Sequence, residues 1–344
     1  MKSRNLLAII LGALLIAVLV SGCAAPAAPA ADAPAADEAA TEEPAEEGAS
    51  EEAAEAIYIP VISKGFQHQF WQAVQKGAEQ AAADLGVEIT FEGPETEAMV
   101  DKQVEMMQTA LDKAPAAIAL AALDSQALIP LLQKAQDAGI PVVGFDSGVD
   151  SDIPVTTAAT DNVAAAAMAA DKMSELIGGS GKVAVIVHDQ TSRTGIDRRD
   201  GFLNQMEAEY PDIEIVNVDY GAGDQLKSTD LAKAVMQANP DLNGYFGANE
   251  GSIIGVLNAA KELGREGELV IIGYDSGLQQ MEAIRSGVQA GAITQDPIGI
   301  GYKAVEAAVM ALNGEEVPEM IDTGFHWYDA ENIDSDTILP LLYE

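Results

Sequence analysis

Two acids, Asp146 and Asp275, stand in near-copies of one hexapeptide, Val143-Gly144-Phe145-Asp146-Ser147-Gly148 and Ile272-Gly273-Tyr274-Asp275-Ser276-Gly277. Each copy follows an apolar run, so each carboxylate is expected where a strand gives way to a loop. Paired carboxylates offer two chemistries. Facing each other across a cleft, they accept hydrogen bonds from the hydroxyls of a polyol. A charged acceptor bonds about twice as strongly as a neutral one, and a neighbouring Arg or Asn donates back to the same hydroxyls. Alternatively, one acid and one nucleophile hydrolyse a glycoside. Hydrolysis needs an acid with a raised pKa in an apolar setting. The Asp-Ser-Gly turns are instead expected to hydrate or hydrogen-bond both acids, so a carbohydrate-processing enzyme is the less favoured reading. Phe70 and Trp71 could cover the apolar C–H face of a sugar ring. Two consecutive aromatics on a helix cannot both face a core squarely, so at least one is expected to point elsewhere.

Other polar groups fall at the ends of apolar runs, where ligands of open α/β sheets bind. They are Lys64 and His68, Asp124-Ser125, His188-Asp189-Gln190, Asn249-Glu250 and Gln295. A metal is not expected, because His68, His188 and His326 share no ligand spacing and Cys23 is the only Cys. No cofactor is expected either. There is no Gly-x-Ser-x-Gly elbow, no Walker lysine loop and no Gly-x-Gly-x-x-Gly after the first strand, and Gly221-Ala222-Gly223 reads as a loop.

The elements that must hold these residues alternate short β-branched runs with helical patterns, the signature of βαβ units around parallel sheets. Strands are expected at 57–62, 87–92, 116–122, 141–146, 182–188, 214–220, 244–248, 269–275 and 290–294. Helices are expected over 70–85, closed by Gly86, and over 125–138, closed by Gly139. Nine strands suit two sheets better than one, and the repeated hexapeptide makes the halves look like related lobes. The fold class is therefore α/β, two Rossmann-like lobes with parallel sheets.

The chain has 344 residues, with 18 Lys plus Arg against 55 Asp plus Glu and a net charge of −37. Such a field repels phosphate backbones, so no nucleic-acid partner is expected. Lys2 and Arg4 precede an apolar run from Leu6 to Val20 that ends in Val20-Ser21-Gly22-Cys23. That tetrad resembles a bacterial lipobox, which makes residues 1–22 a signal peptide and Cys23 the lipidated first residue. Residues 24–56 hold 16 Ala, 10 acidic residues, 4 Pro and no Lys or Arg. A self-repelling segment without large side chains is expected to be disordered, so 23–56 reads as a stalk between lipid and folded body.

From Ile57 onward the chain resembles the ribose-type periplasmic sugar-binding proteins of ABC importers. Gln67-His68-Gln69-Phe70-Trp71 occupies the family's Asn-Asn-Pro-Phe-Phe position, with His68 replacing a sugar-contacting Asn. Asp146 matches the family's strand-ending Asp, with Ser147 where the family has Arg. Asp161-Asn162 matches a segment at a lobe crossover, and Arg198-Arg199-Asp200-Gly201-Phe202 matches an Arg-x-x-Gly-Phe helix start. Asn249, Asp275 and Gln295 fall where the family keeps an Asn, an Asp and a Gln in contact with sugar. Lys64 and Phe91-Glu92-Gly93-Pro94 resemble autoinducer-sugar receptors of the same fold.

The resemblance implies a type I periplasmic-binding-protein fold with a three-strand hinge. Its lobes would be 57–160 plus 296–322 and 161–295 plus 323–344. It implies ligand contacts from Lys64, His68, Phe70, Trp71, Asp146, Arg198, Asn249, Asp275 and Gln295. The implied function is capture of a monosaccharide or related polyol, without catalysis, by closure of two lobes. The protein would be a monomer outside the cytoplasm, held to the membrane only by its lipid, handing sugar to an ABC permease with its ATPase subunits. A receptor for a sugar-like signal is the alternative. Departures at Ala121 and Gly223 leave the identity of the sugar open. The lactose-repressor family shares the fold but carries a DNA-binding head where this chain has its lipobox and stalk.

Overall fold

The computed structural model describes residues 56–343. The signal peptide, the lipidation at Cys23 and the stalk up to residue 55 lie outside the described residues. Two six-stranded sheets organise the body. The first has the order β2-β1-β3-β4-β5-β11, built from β1 (Tyr58–Ile62), β2 (Glu88–Glu92), β3 (Ile118–Leu120), β4 (Val142–Phe145), β5 (Thr156–Ala159) and β11 (Met320–Asp322), all parallel. The second repeats that order as β7-β6-β8-β9-β10-β12, built from β6 (Gly181–Val187), β7 (Ile213–Tyr220), β8 (Gly244–Gly247), β9 (Val270–Tyr274), β10 (Gly291–Gln295) and β12 (Phe325–Tyr328). Only its last strand is antiparallel. Strands β4 and β9, which carry the repeated hexapeptide, hold the same position in the two sheets, so the sequence echo is a topological one.

All nine expected strands form, and three more were missed. Strand β5 is Thr-Thr-Ala-Ala and has no large apolar residue to signal it. Strands β11 and β12 are edge strands with mostly exposed or half-buried residues, so neither shows the continuous apolar run of an inner strand. The chain passes between the sheets three times, after β5, after β10 and between β11 and β12.

Each sheet is covered on both faces, as parallel sheets require. Helices α1 (Gln69–Leu85) and α9 (Pro297–Leu312) pack with Ile59, Val61 and Phe145 on one face of the first sheet, while α2 (Val100–Asp112) and α3 (Ile129–Asp137) pack with Ile62 and Leu120 on the other. The second sheet lies between α4 (Asn162–Ile177) with α5 (Arg193–Glu209) and α6 (Gln225–Ala238) with α7 (Glu250–Leu263). A last helix, α8 (Leu278–Arg285), packs with Ile333 and Ile338 of the C-terminal segment.

Helix α1 stops where expected, with Gly86 at φ 69° returning its N–H to Ala82 O. The helix expected from Ser125 starts only at Ile129. Asp124 instead accepts the N–H groups of Gln126 and Ala127 in a preceding turn, each at 2.9 Å. Helices α1 and α9 touch backbone to backbone at Gly77 and Gly301. A Cβ at Gly77 would lie 2.0 Å from Ile298 O, and one at Gly301 would lie 1.9 Å from Val74 O. Small residues at both points let the two helices share one layer under the first sheet.

Candidate ligand-binding site

The C-terminal ends of the two sets of strands face one another across a small cavity. The first lobe contributes Lys64, His68, Phe70, Trp71 and Asp146, and the second contributes Arg198, Asn249, Asp275 and Gln295. The nine side chains nominated from sequence thus surround one space. Three further residues complete the wall: His188, one of the strand-end candidates though outside the nine, and Glu97 and Thr194, which were not nominated. His188 ends β6 and was visible by the strand-end rule. Glu97 follows β2, and Thr194 lies in the first turn of α5, where nothing local marks either as cavity-facing.

The second-lobe groups hold each other in place. Asp275 follows β9 at φ 75°, its Oδ1 accepting from Gln295 Nε2 at 2.7 Å and its Oδ2 from the Glu250 N–H at 2.8 Å. Arg198 projects from α5 with its Nε donating to Asn162 Oδ1 at 2.8 Å and one terminal nitrogen to Ala248 O at 3.0 Å. Its guanidinium stacks 3.7 Å over the Tyr274 ring and stands 4.0 Å from Asp275. Tyr274 also donates to Asn162, at 3.1 Å, so Asn162 at the crossover orients both. Asn249 caps α7 by accepting the Ser252 N–H at 2.9 Å, while its residue lines the cavity.

In the first lobe, Lys64 reaches across to the second and donates to Thr194 Oγ1 at 3.0 Å and Ser192 Oγ at 3.5 Å. Trp71 Nε1 donates to Glu97 Oε1 at 2.8 Å, and His68 Nε2 stands 3.9 Å from the same oxygen. Burial alone would lift the Glu97 pKa. The cationic Lys64, the nearby His68 and the Trp71 hydrogen bond outweigh it and bring Glu97 below the ordinary carboxylate value. His188 is pushed down to about 3, first by burial and then by Lys64. It is neutral at pH 7.

Two expectations are corrected. The Asp146 turn does not satisfy its acid with protein hydrogen bonds among the described residues. Asp146 is buried at φ 54°, and its carboxylate accepts no hydrogen bond among the described residues. Burial therefore lifts its pKa to about 6, although Lys64 and Arg198 pull the other way. Nor does either aromatic leave the interior: Phe70 and Trp71 are 5% and 2% exposed. They cross edge to face at 5.0 Å, and each packs on a further ring, Phe70 on Tyr343 at 6.1 Å and Trp71 on Phe145 at 6.4 Å. Both remain part of the cavity wall, so core and site are continuous here.

Twin α/β lobes with a polar cavity at their facing strand ends define a two-lobed solute-binding protein. The chain belongs to the periplasmic binding protein domain family, whose model matches residues 59–316. It is similar to the D-allose-binding periplasmic protein of Escherichia coli, 27% identical over 267 residues that cover 75% of this chain and 86% of that one. Among solved structures it is similar to an ABC transporter solute-binding protein of Agrobacterium vitis with bound D-fucose. That match has a TM-score of 0.81, 36% identity and coverage of 83% of this chain and 100% of that one. A carbohydrate transporter solute-binding protein of Agrobacterium radiobacter in complex with D-arabinose matches at TM-score 0.81 and 29% identity, over 84% and 100% of the two chains. The resemblance to sugar-binding proteins of ABC importers, and the type I fold read from it, are borne out.

Proposed function

We propose that this chain is the solute-binding protein of a sugar ABC importer, and that it captures one monosaccharide or related polyol between its lobes. The observation that carries the reading is the placement of Asp146, Asp275 and Arg198, from two lobes, around one small cavity. Two cations, Lys64 and Arg198, stand among three acids, Glu97, Asp146 and Asp275, so the wall has no excess positive charge to favour an anion. Carboxylates beside Arg, Asn and Gln offer the acceptor and donor pairs that neutral hydroxyls require. Three buried atoms of wall residues, His68 Nδ1, His188 Nδ1 and Gln295 Oε1, have no hydrogen-bond partner among the described residues. A hydroxyl-rich ligand gives such atoms partners whose lack costs about 1–3 kcal/mol each. Relatives that bind D-allose, D-fucose and D-arabinose support the same class.

Closure follows from contacts made by both lobes at once. Ligand touching the two sheets together favours the closed arrangement by its differential affinity for the two states. The site residues act by binding alone, and sugar leaves unchanged. The same reading makes Cys23 the lipid anchor, places the protein outside the cytoplasm and gives it a permease with ATPase subunits as partner, the protein itself being a monomer. A thermal-shift screen over pentoses, hexoses, inositols and their simple glycosides, with the ligand recovered and examined by NMR, tests the function. Stabilisation by one sugar that is recovered intact is expected. A glycoside cleaved during the incubation would contradict it.

A further inference from the structure

Among the described residues four α-helices, α1, α2, α3 and α8, begin without a side-chain cap of their own, and two of them, α1 and α8, meet the opposite lobe. The residue preceding α1 is His68 and that preceding α8 is Gly277, and neither side chain accepts a first-turn N–H. Each helix is capped instead from the opposite lobe. Glu250, opening α7 of the second lobe, sets its Oε1 3.2 Å from the Gln69 N–H nitrogen and its Oε2 3.2 Å from that of Phe70. Gln69, the first residue of α1, returns its Oε1 to the Leu278 N–H at 2.9 Å. Neither side chain belongs to the cavity wall.

The exchange is tightly fitted. A Cβ at Gly277 would lie 2.9 Å from Gln69 Oε1 and 3.1 Å from Glu250 Cδ, so a side chain there would press on both caps. It is also tied to the site, because the Glu250 N–H donates to Asp275 Oδ2 and its neighbour Asn249 lines the cavity. A carboxylate at a helix N-terminus gains from both the ionic hydrogen bond and the helix dipole.

We infer that this reciprocal capping, Glu250 on α1 and Gln69 on α8, is a closure latch that holds the ligand-free chain partly closed and slows release. The inference rests on the reading that the lobes open and close over their ligand, but not on which ligand that is. The first-turn N–H groups of both helices have protein acceptors only while the lobes are together. Losing a cap shifts a two-state population by about fivefold. Glu250 and Gln69 are thus positioning residues.

Paramagnetic broadening in the full chain with no sugar added tests the latch, and its outcome is independent of any sugar titration. A spin label enters at Leu226→Cys, 72% exposed at the start of α6, with Cys23→Ser removing the other thiol. The Gly223 carbonyl of that loop already meets Gln67 of the first lobe at 3.2 Å, so closure brings the label to first-lobe amides. Broadening at Gln67 and Glu97 is expected in the otherwise unchanged chain, to fall about fivefold with Glu250→Ala and with Gly277→Ala, and to return in part with Glu250→Gln. Core-strand amides report that each variant is folded. A merely local cap would alter the Gln69 and Phe70 resonances and leave the broadening at Glu97 as it was. That result, or no broadening in the unsubstituted latch, overturns the inference.

Discussion

Asp146 and Asp275 end equivalent strands in the same left-handed backbone conformation, φ 54° and 75°, yet only Asp275 has its carboxylate held, by Gln295 and the Glu250 N–H. A non-glycine residue at positive φ is strained, and such strain gathers at ligand sites. The twin turns aim one fixed and one free acid at a shared space. Asp275→Asn replaces one of its two acceptor oxygens by a donor, which then faces either the Gln295 amide or the Glu250 N–H, so it is expected to lower stability by about 1–3 kcal/mol and to abolish sugar binding. Asp146→Asn keeps the turn and removes a buried charge, so it is expected to lose binding with little change in the fold. Urea denaturation and titration calorimetry on both variants check the asymmetry.

The free acid has a pH consequence. The folded-state value of Asp146, about 6, lies above its ordinary 3.8. The folded chain therefore binds more protons than the unfolded one between those values, and this group stabilises the protein as pH falls from 6 towards 4. His188 acts oppositely, its folded value of about 3 lying below 6.5, so its contribution is lost as pH falls. The difference between wild type and Asp146→Asn isolates the first effect. Wild type is expected to gain on the variant by up to roughly 3 kcal/mol from pH 7 to pH 4. Sugar affinity, which uses the ionised acceptor, is expected to fall below pH 6. Stability curves and titrations across that range measure both.

Lys64 and Thr194 join the lobes at 3.0 Å. Lys64→Met and Thr194→Val are expected to weaken sugar binding non-additively, with a coupling of about 0.5–3 kcal/mol in a double-mutant cycle. Additive losses would show that the contact does not serve closure.

Gly77 is expected to tolerate no side chain, because its Cβ would enter the Ile298 carbonyl. Gly77→Ala should separate α1 from α9 and cost about 3 kcal/mol in urea denaturation, a value at the high end for overpacking.

Much of this fold was legible because parallel strands buried on both faces read as apolar runs. The inner strands of both sheets, Thr156–Ala159 apart, and the hexapeptide echo were found that way. The strands missed are those that packing does not mark, Thr156–Ala159 and the edge strands carrying Met320 and Phe325. At the site, Lys64, His68, Asp146, Asn249, Asp275 and Gln295 were legible because strand-end position is itself a sequence property, whereas Arg198 on α5 came only with the family resemblance. Thr194, Glu97 and the caps from Glu250 and Gln69 were not legible. Each depends on where one lobe meets the other, which no local pattern records. The Asp146 turn misled because its sequence describes an exposed acid, whereas the fold buries it in the cavity wall.

Isothermal titration calorimetry of the full chain against D-fucose, D-arabinose, D-allose and D-ribose, repeated with Arg198→Met, tests the central claim most directly. The account predicts one-to-one saturation by at least one of these sugars and its loss in the variant, since Arg198 stands 4.0 Å from Asp275 and lines the same cavity as Asp146. Saturation by any of these sugars that Arg198→Met leaves unaffected would contradict it.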